Sequence, residues 1–156
     1  MIRFKPARTS LGAFEIRNAL VNSSATINVG DPVRRNSSNT DEIEEHPAGG
    51  TTTGFLGIAG APAVSGTPDF GSDLLYYVLN QQTEFVGQVY DVSASAVITI
   101  STTPGTYEGN SYGLIQISGN WYVDEEDTSQ VVIRVTEEMP EINAVLFKFL
   151  TAAIVD

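Results

Sequence analysis

Cysteine is absent from the 156-residue chain, which excludes a disulfide framework, thiolate catalysis, zinc fingers and thiol redox chemistry together. Histidine occurs once, as His46, and tryptophan once, as Trp121. One imidazole leaves little for nucleophilic catalysis, which sets a Ser, Cys or Thr beside a general base that is most often histidine. No apolar run approaches the roughly 20 residues of a spanning helix, and Lys148 interrupts the longest candidate. Positive charge is scarce: eight Lys and Arg stand against nineteen Asp and Glu, a formal net charge of −11. Nucleic-acid affinity comes chiefly from cations that displace condensed counterions, and anionic lipid is attracted by the same groups. Neither nucleic acid nor a membrane is therefore an expected partner. The start, Met1-Ile-Arg-Phe-Lys-Pro6, has charges with no apolar stretch behind them, unlike a secretory leader, so the chain is expected to be soluble as made.

What is present is strand pattern. Tyr112–Ile117, Trp121–Asp124, Val131–Thr136 and Ala144–Leu150 alternate apolar with polar residues in short blocks bounded by Gly, Asn and Asp, which reads as a β-meander. In the last run Val145, Phe147 and Phe149 share one face and Lys148 the other, as for a strand over a core with one side wetted. Upstream, Phe14–Leu20, Ala25–Val29, Phe55–Ala59, Leu74–Leu79, Glu84–Tyr90 and Ala94–Ile100 read as further strands. A short helical turn is expected only within Glu137–Ile142, limited by Pro140. About nine strands with turn signals near every ten residues predict an all-β single domain, a β-barrel or sandwich, over residues 13–156.

Residues 1–12, with Pro6, Ser10 and Gly12, show no sustained period and read as an extended N-terminal arm. Arg3, Lys5, Arg8 and Arg17 oppose only Glu15 in the first seventeen residues, while residues 51–156 hold two Lys and Arg against thirteen Asp and Glu. These four cations are the candidate partner-binding residues, a basic lead that can clamp a neighbour's acidic surface. If they act so, deleting residues 1–10 weakens the contact and leaves the thermal transition of the isolated protein nearly unchanged. From Asn36 to Thr53 periodicity is lost, and a long polar surface loop is expected there, a contact element rather than a packing one. Gly60–Gly71 reads as a second exposed connection.

No constellation demands catalysis, and no catalytic residue, metal ligand or cofactor is assigned. His46 with the acidic run Asp41–Glu45 lacks the fixed spacing of a metal site. The acids Asp124, Glu125, Glu126 and Asp127 offer carboxylates for glycoside hydrolysis or calcium, yet four in a row repel and point to both sides of the chain. Their spacing also misses the twelve-residue calcium loop. Tyr107, Tyr112, Trp121 and Tyr122 form either a sugar-stacking strip or, as is commoner at strand spacing, core and cross-strand pairs.

The segments Gly30-Asp-Pro-Val33, Gly54-Phe-Leu-Gly-Ile-Ala59, Thr83-Glu-Phe-Val-Gly87 and Ala144-Val-Leu-Phe-Lys-Phe149, spread over most of the chain, resemble the head decoration, or capsid cement, proteins of tailed bacteriophages. The resemblance implies a small β-rich virion subunit that binds the major capsid protein on the outer capsid surface, a homotrimer after synthesis in the host cytoplasm. The competing expectation is a carbohydrate- or receptor-binding β module displayed on the virion, with exposed Trp121 and Tyr122 as its mark.

Overall fold

The computed structural model describes residues 1–47, 51–69, 71, 73–103 and 105–154. Strands dominate. In chain order they are β1 (Lys5–Thr9), β2 (Ile16–Val21), β3 (Pro32–Arg35), β4 (Glu42–Glu45) and β5 (Gly57–Ala59). Next come β6 (Ala63–Val64), β7 (Thr67–Pro68), β8 (Leu74–Val78), β9 (Thr83–Gly87) and β10 (Val89–Asp91). The last five are β11 (Ala96–Val97), β12 (Ser111–Ile117), β13 (Asn120–Asp124), β14 (Ile133–Met139) and β15 (Ala144–Phe149). The expected all-β class is what forms, with two short 3-10 turns at Pro140–Ile142 and Thr151–Ala153.

Eight strands make one sheet in the order β1-β9-β15-β14-β12-β13-β10-β11, β2-β4-β3-β5-β8 close into a small barrel, and β6 pairs with β7 as a hairpin. The best-read element is the β12–β13 hairpin. Ser118 and Gly119 both have positive φ, 50° and 78°, between the paired Ile117 and Asn120, as a two-residue turn matched to strand twist requires. The expected simple meander does not form, because β14 returns to the far side of β12 and β13 instead pairs in parallel with β10. The run Glu84–Tyr90 divides at Gln88, so β9 and β10 serve different parts of the same sheet. Only Ala96 and Val97 of Ala94–Ile100 are strand, since Ser95 turns the chain at φ 54°.

The polar run 36–53 is also corrected. Residues 48–50 lie outside the described residues, but β4 occupies Glu42–Glu45 and bridges β2 and β3. Its one apolar residue suffices: Ile43 points into the barrel and is fully buried, while Glu42 and Glu44 face outward. The connection Gly60–Gly71, apart from residue 70, which is not described, likewise carries the β6–β7 hairpin.

Two cores result. The barrel fills with Val21, Ile27, Val33, Ile43, Leu74 and Tyr76. The larger core lies between sheet and barrel, where Phe85, Phe147 and Phe149 of the sheet meet Phe55 and Ile58. The rings of Phe55 and Phe149 stand 5.4 Å apart across that boundary. β15 is buried on both faces rather than one: Ala144 and Leu146 pack with Val86, Ile2 and Met139, and only Lys148 is half-buried.

Candidate functional site

The arm that bears the N-terminal cations is extended but not free. Phe4 is buried with its ring 5.1 Å from Phe147, and β1 pairs antiparallel with β9 from Lys5↔Val86 to Thr9↔Thr83. β1 is thus the edge of the large sheet. Pro6 lacks an amide hydrogen, the register shifts between Pro6 and Arg8, and Lys5 is exposed, three devices that keep an edge from recruiting a foreign strand. Any partner here is held by side chains.

Arg8 is occupied within the chain. Its guanidinium holds both oxygens of Glu84, one at 3.1 Å, and reaches Glu137 at 2.7 Å. These bonds raise the Arg8 pKa and hold the Glu84 carboxyl below its ordinary value. Arg17, on β2 of the barrel, meets Glu15 at 2.8 Å on the surface, where such a pair contributes little. Arg3 donates to the Val29 carbonyl at 3.3 Å, and Lys5 has no ion pair among the described residues. The structure therefore brings Arg3, Lys5 and Arg8 together along one edge, separates Arg17 from them, and leaves Arg3 and Lys5 with charge to offer.

An open groove of about 490 Å³ adjoins that edge, with Val86, Met139, Ile142 and Leu146 as apolar floor and Lys5, Arg8 and Glu137 at its rim. A second apolar feature lies on the outside of the barrel. Ile16 and Leu20 of β2 are about half exposed, 47% and 49%, and Ile16 is cross-strand from Tyr77.

Each acid of the 124–127 loop has its own donor. Asp124 accepts the Glu126 amide at 3.0 Å, Glu125 the Tyr107 hydroxyl at 2.8 Å, Glu126 the Ser93 amide at 2.9 Å and Asp127 the Gln130 amide at 2.8 Å. Burial raises the Asp124 pKa. These side chains pin the loop and its neighbours, each through a different donor. Among the described residues no three His, Asp or Glu converge as metal ligands.

His46 corrects the reading of a solvated acidic loop. It is buried and stacked on Phe55 at 3.7 Å between ring centroids, with Nδ1 at 3.0 Å from the Pro47 carbonyl and Nε2 at 2.8 Å from that of Thr53. Burial holds its pKa below the ordinary 6.5, although both carbonyls favour the proton. A depressed folded pKa means that the unfolded chain takes the proton first, so stability falls as pH drops below 6.5. Urea midpoints at pH 5 and 7.5 should show a smaller decline for His46→Gln than for the parent chain, and equal declines would remove His46 from the pH dependence.

Tyr107, Tyr112, Trp121 and Tyr122 are all buried, each less than a tenth exposed. They are packing residues, with Tyr107 and Tyr112 edge to face at 6.1 Å between centroids, and form no exposed strip.

Three carboxylates that hold loops and strands together escaped sequence reasoning: Glu45, which is half-buried, and Glu138 and Asp31, which are buried. Glu45 accepts from Gln116 and, at 3.2 Å, from Trp121 Nε1, tying β4 of the barrel to the β12–β13 hairpin. Glu138 receives the amides of residues 105, 107 and 108. Asp31 lies in the turn before β3. The signal for the last was Gly30-Asp-Pro32, where an Asp between Gly and Pro suits a side chain that bonds its own turn.

No family model matches the chain, and comparison with curated proteins and with solved structures finds no match.

Proposed function

We propose that the chain is a structural virion subunit, a decoration or cement protein that binds the major capsid protein on the outside of a tailed-phage head, as a homotrimer, and stabilises the expanded lattice. The observation that carries the reading concerns the four segments that resemble such proteins. Gly30–Val33 and Gly54–Ala59 meet as neighbours, Pro32 opposite Ile58 and Val33 opposite Gly57. Thr83–Gly87 and Ala144–Phe149 pair likewise, Phe85 opposite Phe147. The Phe55–Phe149 contact joins the two pairs. The resembling residues are thus one contiguous core spanning barrel and sheet, the part of a fold that sets its architecture.

Surface chemistry supports the same reading. A body of charge −11 is repelled by packaged nucleic acid and suits an outer face. The apolar groove beside Lys5 and the Ile16–Leu20 strip offer contact areas of the kind a lattice junction supplies. The mechanism is linkage: a subunit that binds only the expanded lattice stabilises it by mass action, and several weak contacts on one trimer add through effective concentration. Trp121 and Tyr122, the exposed mark expected of a carbohydrate-binding module, are buried.

Cryo-microscopy of expanded and unexpanded heads incubated with the purified protein tests the proposal. Density on the outer shell of expanded heads alone is expected, and bare shells would sink it. Deleting residues 1–10 is not a clean test of the basic lead, because Phe4 and β1 are part of the folded body and their loss is expected to destabilise it. The double variant Arg3→Glu/Lys5→Glu keeps the strand. Its head binding should fall about tenfold or more in low salt, with a flatter salt dependence. An unchanged salt response would remove these cations from the interface.

A further inference from the structure

Where the turn 28–31 of the barrel meets β13 of the sheet, the first residues of the chain cross the seam and cover it. Met1, Arg3 and Phe4 lie against Gly30, Asp31 and Trp121 around a gap that leaves no space for a water molecule. Gly30 sits at φ 89°, and a Cβ there would come within 2.8 Å of Arg3 Cβ and 2.9 Å of the Phe4 carbonyl oxygen, so the turn and the covering segment are pressed together. The cover is tethered by two hydrogen bonds and by the half-buried Ile2 side chain, which packs with Val86, Ala144 and Leu146. The Ile2 amide donates to Gln88 Oε1 at 3.0 Å, Arg3 Nη1 to Val29 at 3.3 Å, and Met1 is largely exposed, whereas Phe4 is anchored in the core.

Beneath this cover Asp31 is 1% exposed. Its Oδ2 accepts the Asn28 amide at 2.7 Å, and its hydrogen-bond donors all come from Asn28. Two charged groups face it, Glu45 from β4 and Arg3 from the cover itself. An ionised carboxylate so placed lies in a dry seam opposite a second anion.

We propose that Met1–Arg3 form a proton-controlled flap, closed over the neutral Asp31 side chain and lifted to let water reach its carboxylate. The inference does not rest on the function proposed above. Burial, with Glu45 adding to it, pushes the Asp31 carboxyl up to about 7, and the Asn28 bonds and Arg3 pull the other way. With the flap open the acid returns toward its ordinary 3.8. Between these values the ratio of open to closed flap rises by up to about tenfold per pH unit, and above the upper one it levels off. From pH 5 to pH 8 opening should therefore increase about 100-fold.

Amide hydrogen exchange of the whole chain reads this out, corrected for the intrinsic pH dependence of exchange. Protection of the Ile2 amide should fall about 100-fold between pH 5 and pH 8, and in Asp31→Asn it should stay at the pH 5 level throughout. Emission of Trp121, the only tryptophan, should shift with a midpoint near pH 7 in the parent chain and not in that variant. Should Asp31→Asn fail to fold, Glu45→Gln is the second probe, and it should move the midpoint to lower pH. Protection that is equal at both pH values, or absent at pH 5, overturns the proposal, as does a fluorescence transition that survives Asp31→Asn. Loss of the transition in His46→Gln would assign it to the imidazole and overturn it equally.

Discussion

Phe147→Ala is expected to lower the unfolding free energy by about 3–5 kcal/mol, the cost of deleting a fully buried ring whose cavity cannot collapse. The reason is position. Phe147 is fully buried at the centre of β15, with ring centroids 5.1 Å from Phe4, 6.3 Å from Phe85 and 5.8 Å from Phe149. It therefore links the N-terminal segment, β9 and, through Phe149, Phe55 of the barrel side. No single neighbour can move into the space without leaving another contact. Since domains of this kind unfold with about 5–15 kcal/mol, the variant should retain little margin, and its thermal midpoint should drop by about 10 °C. Phe147→Leu keeps most of the volume and should lose less than half as much. Chemical denaturation of the three chains checks the order. A loss under about 1 kcal/mol for the alanine variant would mean that barrel and sheet do not share a core.

The second large effect is expected at Glu138, for a different reason. This carboxylate is buried on β14 and faces the amides of a turn rather than a cation: Gly105 at 3.0 Å, Tyr107, and Glu108 at 3.4 Å. Tyr107 is fixed at its other end by its hydroxyl on Glu125, and its ring packs on Tyr112. Glu138→Ala leaves the buried Tyr107 N–H without an acceptor and frees those of the exposed Gly105 and Glu108, which should cost about 2–3 kcal/mol, whereas Glu138→Gln, which keeps one carbonyl oxygen, should fall between. The local signature separates this from general destabilisation. Burial and the Glu125 bond raise the Tyr107 pKa, so freeing the turn should bring one tyrosine back toward the ordinary 10 in an absorbance titration. A titration identical to the parent would show that Glu138 does not hold the turn.

Strands were legible where apolar residues recur at period two and turn chemistry is explicit, although the second face of β15, expected to be wetted, is buried as well. The Ser118-Gly119 turn and the apolar face of Val145, Phe147 and Phe149 are read directly, because period two and positive φ leave marks on composition. β4 was illegible for the opposite reason. In a narrow barrel one inward residue, Ile43, closes the strand, and its acidic neighbours satisfy outward partners such as Arg34 at 2.9 Å. The order of strands was not legible either, since period says which face is buried and nothing about which strand lies alongside. The site residues fared in the same way. Composition marked Arg3, Lys5, Arg8 and Arg17 as an excess of charge, but only the fold shows Arg8 spent on Glu84 and Glu137. Buried His46 and Asp31 sit among polar residues, where one-dimensional hydropathy predicts exposure.

β9 has β1 on one side and β15 on the other, so this flank of the large sheet is assembled from strands about 60 residues or more apart in sequence. The β9–β15 ladder has to wait until residues 144–149 have been made, by which point the barrel, whose strands all precede residue 79, has its whole sequence available. Maturation should thus proceed in two stages, a fast local one and a slower one limited by closing large loops. In the interval the flank of β9 that awaits β15 is the stretch a chaperone would have to shield.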